Sequence, residues 1–116
     1  LIIEKILSFL KVKKKLLRSS DLNLNEKRSD KLIKIISSSK EKVYLSTTGS
    51  KKYLIEDLDK FKKKEIQVKI LNFRGKPYKQ LSPNFFSKLS ILDLIFNLGD
   101  KASNYLDDCF SIETLE

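Results

Sequence analysis

The chain has 116 residues, 41% of them hydrophobic and 34% charged, with a formal net charge of +9. That balance fits one small folded domain over residues 1–116 and is too apolar for a disordered chain. The absence of histidine and the presence of one cysteine, Cys109, exclude histidine-based acid/base catalysis, Ser-His-Asp triads, an internal disulfide and Cys/His zinc sites.

In chain order, Leu1–Leu10 has apolar residues at 2, 3, 6, 7 and 10, the spacing of a helix. Its Glu4 and Lys5 and its lack of a basic start do not fit a signal peptide. Lys14–Arg18 reads as a short strand, and Ser19-Ser20-Asp21 as a turn. Asn25 is placed to cap a helix running to about Ser38, with Leu32, Ile33, Ile35 and Ile36 as its apolar residues. Val43–Ser46 is a buried-strand candidate and Thr47–Ser50 a loop. Lys52–Lys64 is helical, with Tyr53, Leu54, Leu58 and Phe61 on one side. Ile66–Phe73 alternates as a strand does. Arg74–Asn84 is a polar loop holding Gly75, Pro77 and Pro83. A helix from about Ser87 to Leu98 should end at Gly99, a shorter one should follow over Asp100–Leu106, and residues 107–116 read as an acidic tail. Helices alternating with short strands predict an α/β fold: parallel strands in a layered, Rossmann-like piece with few strands of its own.

Charge is uneven. Residues 1–80 carry 22 Lys+Arg against 9 Asp+Glu, and residues 81–116 carry 2 against 6. Only three of the cations are arginines, Arg18, Arg28 and Arg74. Lysine faces without clustered arginine and aromatic platforms seldom read bases, so a solvated surface is the favoured reading over a nucleic-acid site. No apolar run reaches the roughly 18–20 residues of a membrane span. A cytoplasmic protein is therefore expected, and nothing in the sequence calls for a cofactor.

The stretch Leu89-Ser-Ile-Leu-Asp-Leu-Ile-Phe-Asn-Leu-Gly99 carries the most specific signal. Asp93 and Asn97 lie four apart inside an apolar helix, where such side chains compete for backbone groups and require a reason to be present. Around it stand Leu17-Arg-Ser-Ser-Asp-Leu22, Lys31-Leu-Ile-Lys-Ile-Ile36, Val43-Tyr-Leu-Ser46 with Gly49 and Tyr53-Leu54, Ile66-Gln-Val68 and Tyr78-Lys-Gln80. Together, over about residues 15 to 106, these segments resemble the WbqC-like family of bacterial proteins. Thr47, Lys79 and the Lys27–Lys31 stretch depart from that family's usual Gly, Pro and Gly-x-x-Thr. The resemblance implies the C-terminal half of a longer chain, whose upstream half would carry Gln-Pro and Gly-Tyr-Phe motifs. It also implies a role in surface-polysaccharide assembly, including O-antigen sugars, with group transfer onto a nucleotide-linked amino sugar as the activity if the protein is an enzyme. The alternative is a non-enzymatic basic module that binds nucleic acid or a protein partner.

Ligands of open α/β sheets bind beyond the carboxyl ends of strands. This singles out Arg18, Ser19, Ser20 and Asp21, then Ser46, Thr48, Gly49, Ser50 and Lys51, then Arg74. Hydroxyls and lysines ahead of a helix suit a phosphate, although a capped hydrophilic turn looks the same in sequence. Arg18 and Asp21 suit a phosphate and a sugar hydroxyl respectively, or a local ion pair in an Asx-turn. Tyr78 and Gln80, in the family-like stretch, suit a ring and its hydroxyls, or packing at the core edge. Asp93 reads either as a general base, with Asp21 a second candidate, or with Asn97 as a hydrogen-bonding tie between loop and helix.

Overall fold

A computed structural model describes residues 1–116. The chain forms two compact units. The first, called the cleft unit below, contains residues 1–15 and 73–110; the second, the sheet unit, contains residues 16–72 and 111–116.

In the sheet unit, helix α2 spans Arg28–Ser38, strand β1 Val43–Thr47, helices α3 and α4 Lys51–Glu56 and Leu58–Lys62, and strand β2 Gln67–Phe73. Strands β1 and β2 are parallel, in register from Val43 opposite Gln67 to Thr47 opposite Leu71. A third strand, β3 (Phe110–Thr114), lies on the other side of β2, giving the order β1-β2-β3. Two backbone bonds set its direction: Leu115 N donates to Val68 O at 2.9 Å, and Arg74 N donates to Cys109 O at 2.7 Å. One strand ascends in number as the other descends, so β3 is antiparallel to β2 and the sheet is mixed.

Alternation along the strands decides what is buried. Val68 and Ile70 point to the face that also receives Ile33 and Ile36 of α2, Leu54 of α3, Leu58 and Phe61 of α4, and Leu115. Phe61, Leu54 and Ile70 are fully buried, and the Tyr44 ring stacks on Phe61 with centroids 5.9 Å apart. Burial also pushes the Tyr44 hydroxyl pKa above its ordinary range.

The cleft unit contains α1 (Ile2–Phe9), a long loop over residues 74–90, α5 (Ile91–Leu98) and α6 (Ala102–Asp107). Its buried residues are few: Leu94, Ala102 and Cys109. Ser103 Oγ donates to Leu10 O at 3.1 Å, tying α6 to the end of α1.

The α/β class and the β1–β2 parallel pair agree with the sequence. Four local expectations are corrected. Lys14–Arg18 is not a strand but an exposed segment without regular secondary structure, because consecutive lysines leave no buried face for a ladder. Asn25 does not cap α2, which begins at Arg28 with Lys27 in the cap position. The Lys52–Lys64 helix is broken at Asp57, a residue of low helix propensity, whose carbonyl accepts from Lys60 N at 2.9 Å and whose carboxylate pairs with the Lys60 ammonium at 3.0 Å. Residues 107–116 are not a free acidic tail. Phe110–Thr114 alternate as a strand, and Leu115 enters the core.

Candidate functional site

Helix α5 begins where its sequence allows. Ser90 is extended and its Oγ accepts from Leu92 N at 3.2 Å, satisfying one of the free amides of the first turn. Asp93 follows three residues later, near the positive end of the helix dipole. The expected helix start near Ser87 therefore moves to Ile91. At the far end, Gly99 has φ +54°, a conformation that favours glycine, and the helix stops there.

From that first turn the Asp93 carboxylate collects donors. Tyr78 Oη donates to Oδ2 at 2.5 Å, Gln80 Nε2 donates to the same oxygen at 3.1 Å, and Asn97 Nδ2 donates to Oδ1 at 3.1 Å and to Asp93 O at 2.8 Å. Gln80 also bridges its own loop: Nε2 donates to Phe86 O at 2.9 Å and Oε1 accepts from Phe86 N at 2.8 Å. Tyr78, Gln80, Asp93 and Asn97 thus form one latch that fixes the 74–90 loop on α5. Both oxygens of the carboxylate are engaged by neighbouring side chains. Desolvation, and then the bond to Asp93, raise the Tyr78 hydroxyl pKa, so it remains a donor at neutral pH.

The latched loop forms one wall of a cleft of about 420 Å³, within the size range of small-molecule sites. Four aromatic rings line it, Phe73, Tyr78, Phe85 and Tyr105, with aliphatic side chains such as Leu89, Ile91 and Leu94 between them. Tyr78 meets both Phe85 and Tyr105 edge-to-face, with centroids 5.4 Å apart in each case. Tyr105 Oη donates to Lys76 O at 2.5 Å, and burial raises its pKa. A Cβ at Gly75 would lie 2.9 Å from the Phe73 ring and 3.2 Å from Tyr105 Oη, so a larger residue on this wall would have to displace that ring. Two cations, Arg74 and Lys88, reach the cleft and form no ion pair. Ser87 and Ser90 add hydroxyls. Lys88 sits at φ +58°, a strained conformation for a side-chain-bearing residue.

The remaining predicted residues belong to the sheet unit. Ser19, Ser20 and Asp21 lie in a one-turn 3₁₀ helix, Ser19–Leu22, flanked by Arg18, and all four are exposed. The only side-chain bond among them runs from Ser20 Oγ to Asp21 Oδ1 at 3.3 Å; Arg18 and Asp21 do not form the expected ion pair. Ser46 ends up buried at the end of β1, and Thr48, Gly49 and Ser50 form a second 3₁₀ turn. A Cβ at Gly49 would meet nothing of the protein within 4 Å. Lys51 is held by Glu113 at 2.7 Å, which lowers the Glu113 pKa and leaves less free charge for an anion.

Of the residues singled out from sequence, Arg74 and Tyr78 line the cleft, while Gln80, Asp93 and Asn97 belong to the latch behind it; Phe73, Phe85, Lys88 and Tyr105 line the cleft and were missed. Paired Phe85-Phe86 in a polar loop was the available signal, because apolar rings in a loop need a surface to cover.

Comparison with known proteins agrees with the family-like motifs. The sequence profile of the WbqC-like protein family matches residues 1–105. A protein of Mycobacterium tuberculosis, itself described only as uncharacterized, is 31% identical over 105 residues, which are 90% of this chain and 45% of that protein. The chain therefore spans about half the length of the curated relative it matches. No solved structure matches it. By the profile match over most of its length and by the motifs that build the latch, the chain belongs to the WbqC-like protein family.

Proposed function

We propose that this chain supplies the ligand-recognition part of a WbqC-like protein of bacterial surface-polysaccharide assembly, such as that of O-antigen, and that its ligand is a nucleotide-linked amino sugar on which the whole protein performs group transfer. One observation carries the reading: two unpaired cations, Arg74 and Lys88, flank a cleft walled by four aromatic side chains. Such a cleft is complementary to a base that packs on the rings and a diphosphate that the cations hold, with Arg74 able to bind two oxygens at once. Hydroxyls of Ser87 and Ser90 are placed for the sugar. Asp93 acts in this reading as a positioning residue. The Ser46–Lys51 turn is the anion site that the sequence reading favours, and it serves as the control.

Calorimetric titration with a UDP-linked amino sugar tests the proposal. Replacing both Arg74 and Lys88 with Ala should weaken binding at least tenfold, while Ser46→Ala with Lys51→Ala should leave it unchanged. Unchanged affinity in the first variant removes the cleft as the site; loss in the second moves the phosphate to the β1 turn.

A polyanion-binding reading draws on one other observation. A groove of about 480 Å³ in the sheet unit is lined by Lys34, Lys60, Lys63 and Lys64. Its rim also holds Glu26 and Asp30, and Lys34 and Lys60 are already ion-paired. Single-stranded RNA binding with an affinity that falls steeply with salt would favour this reading over the first.

A further inference from the structure

The register of the sheet leaves one of its faces bare. Val43, Leu45 and Thr47 of β1 stand opposite Gln67, Lys69 and Leu71 of β2. The antiparallel pairing of β3 brings Ile112 and Thr114 to that same side. All the buried side chains that α2, α3 and α4 contribute lie on the other side, with Val68, Ile70 and Leu115. On the bare side Val43 is 46% exposed, Leu45 47% and Ile112 59%. The edge of β1 is also free, since β1 pairs with β2 alone. An unpaired edge beside exposed apolar side chains is a template for another strand.

We infer that this face and the free edge of β1 seat a further segment of a full-length WbqC-like polypeptide. That segment adds a strand along Val43–Thr47 and lays an apolar helix face over Val43, Leu45 and Ile112, with an acidic side chain opposite Lys69. The mycobacterial relative argues for this occupant, because the 105 matched residues are only 45% of its length and the rest of it has no counterpart in these two units. A second copy fits less well. Stacking two such faces would bring together chains that each carry a net charge of +9.

The test expresses residues 1–116 alone and, in parallel, the same chain with whatever its native reading frame encodes beside it. Amide exchange at residues 43–47 should be at least tenfold slower in the longer protein. Leu45→Lys with Ile112→Lys should lower the Tm of the longer protein by about 5 °C, the scale of a lost apolar contact in a domain of this kind. The same pair should leave residues 1–116 within about a degree, as exposed positions do. The inference is overturned by a reading frame that adds no segment, by equal exchange in both proteins, or by Lys substitutions that are neutral in the longer one. It is equally overturned if residues 1–116 run as a concentration-dependent dimer with slow β1 amides, because a second copy would then take the face.

Discussion

The two units hold themselves together by different means. The sheet unit buries Leu54, Phe61, Val68 and Ile70 almost completely beneath three short helices. The cleft unit buries Leu94, Ala102 and Cys109 but leaves Phe96 83% exposed, and its long loop is fixed by a carboxylate that accepts from three side chains. Apolar burial tolerates imprecise partners, since it scales with area and has no preferred direction. A hydrogen-bonded latch holds a loop at one setting and leaves the rings on it free to face a cavity. A binding wall is better made by the second means, because rings used to fill a core are unavailable to a ligand.

The largest effect that separates the units is expected from Phe61→Ala. Removing a fully buried ring should cost about 3–5 kcal/mol in chemical denaturation, and cleft-unit amides should keep their native exchange rates at temperatures where the variant is still folded. Loss of protection in both units at once would mean that the two share a single stability and the contrast fails.

Asp93→Ala sharpens the contrast from the other side. It strips the acceptor from Tyr78, Gln80 and Asn97, and about 2 kcal/mol should be lost for partly buried donors left unsatisfied. The distinctive sign is local: amides of residues 78–90 should exchange faster, while those of β2 stay unchanged. Asp93→Asn retains one carbonyl acceptor and should fall between the two.

Lys88→Gly should move stability and binding in opposite directions. Glycine relieves the left-handed conformation by about 1 kcal/mol, whereas loss of the ammonium weakens a phosphate-bearing ligand. A denaturation midpoint that rises while calorimetric affinity falls is the expected pair of results. A midpoint that falls would show that Lys88 contributes contacts beyond its charge.

The smallest effect belongs to Glu113 and Lys51. The ammonium of Lys51 holds the Glu113 carboxyl below its ordinary value of 4.5. A carboxyl depressed on folding stabilises the protein above its unfolded pKa, and that contribution disappears as pH falls through the folded value. Compared with Glu113→Gln at low salt, the native chain should therefore hold a slight advantage at pH 6 that shrinks below about pH 4.5. An advantage that persists to pH 3, or survives molar salt, would exclude the ion pair as its source.

Much of this protein is settled by local sequence. Period-two alternation over Ile66–Phe73 determines β2 and its buried face, because side chains of a strand must alternate. Apolar spacing determines α1 and α2, and Gly99 ends α5 because few other residues accept its backbone angles. The spacing of Asp93 and Asn97 marks them as partners on one helix face. The tertiary structure alone decides which groups the Asp93 carboxylate meets, since Tyr78 and Gln80 reach it across a loop whose path no local rule specifies. It alone makes Phe110–Thr114 a strand rather than an acidic tail, because a five-residue alternating segment becomes a strand only when an edge such as that of β2 is present to pair with it. It also pairs Lys51 with Glu113, which lies 62 positions away in sequence and comes within hydrogen-bonding distance.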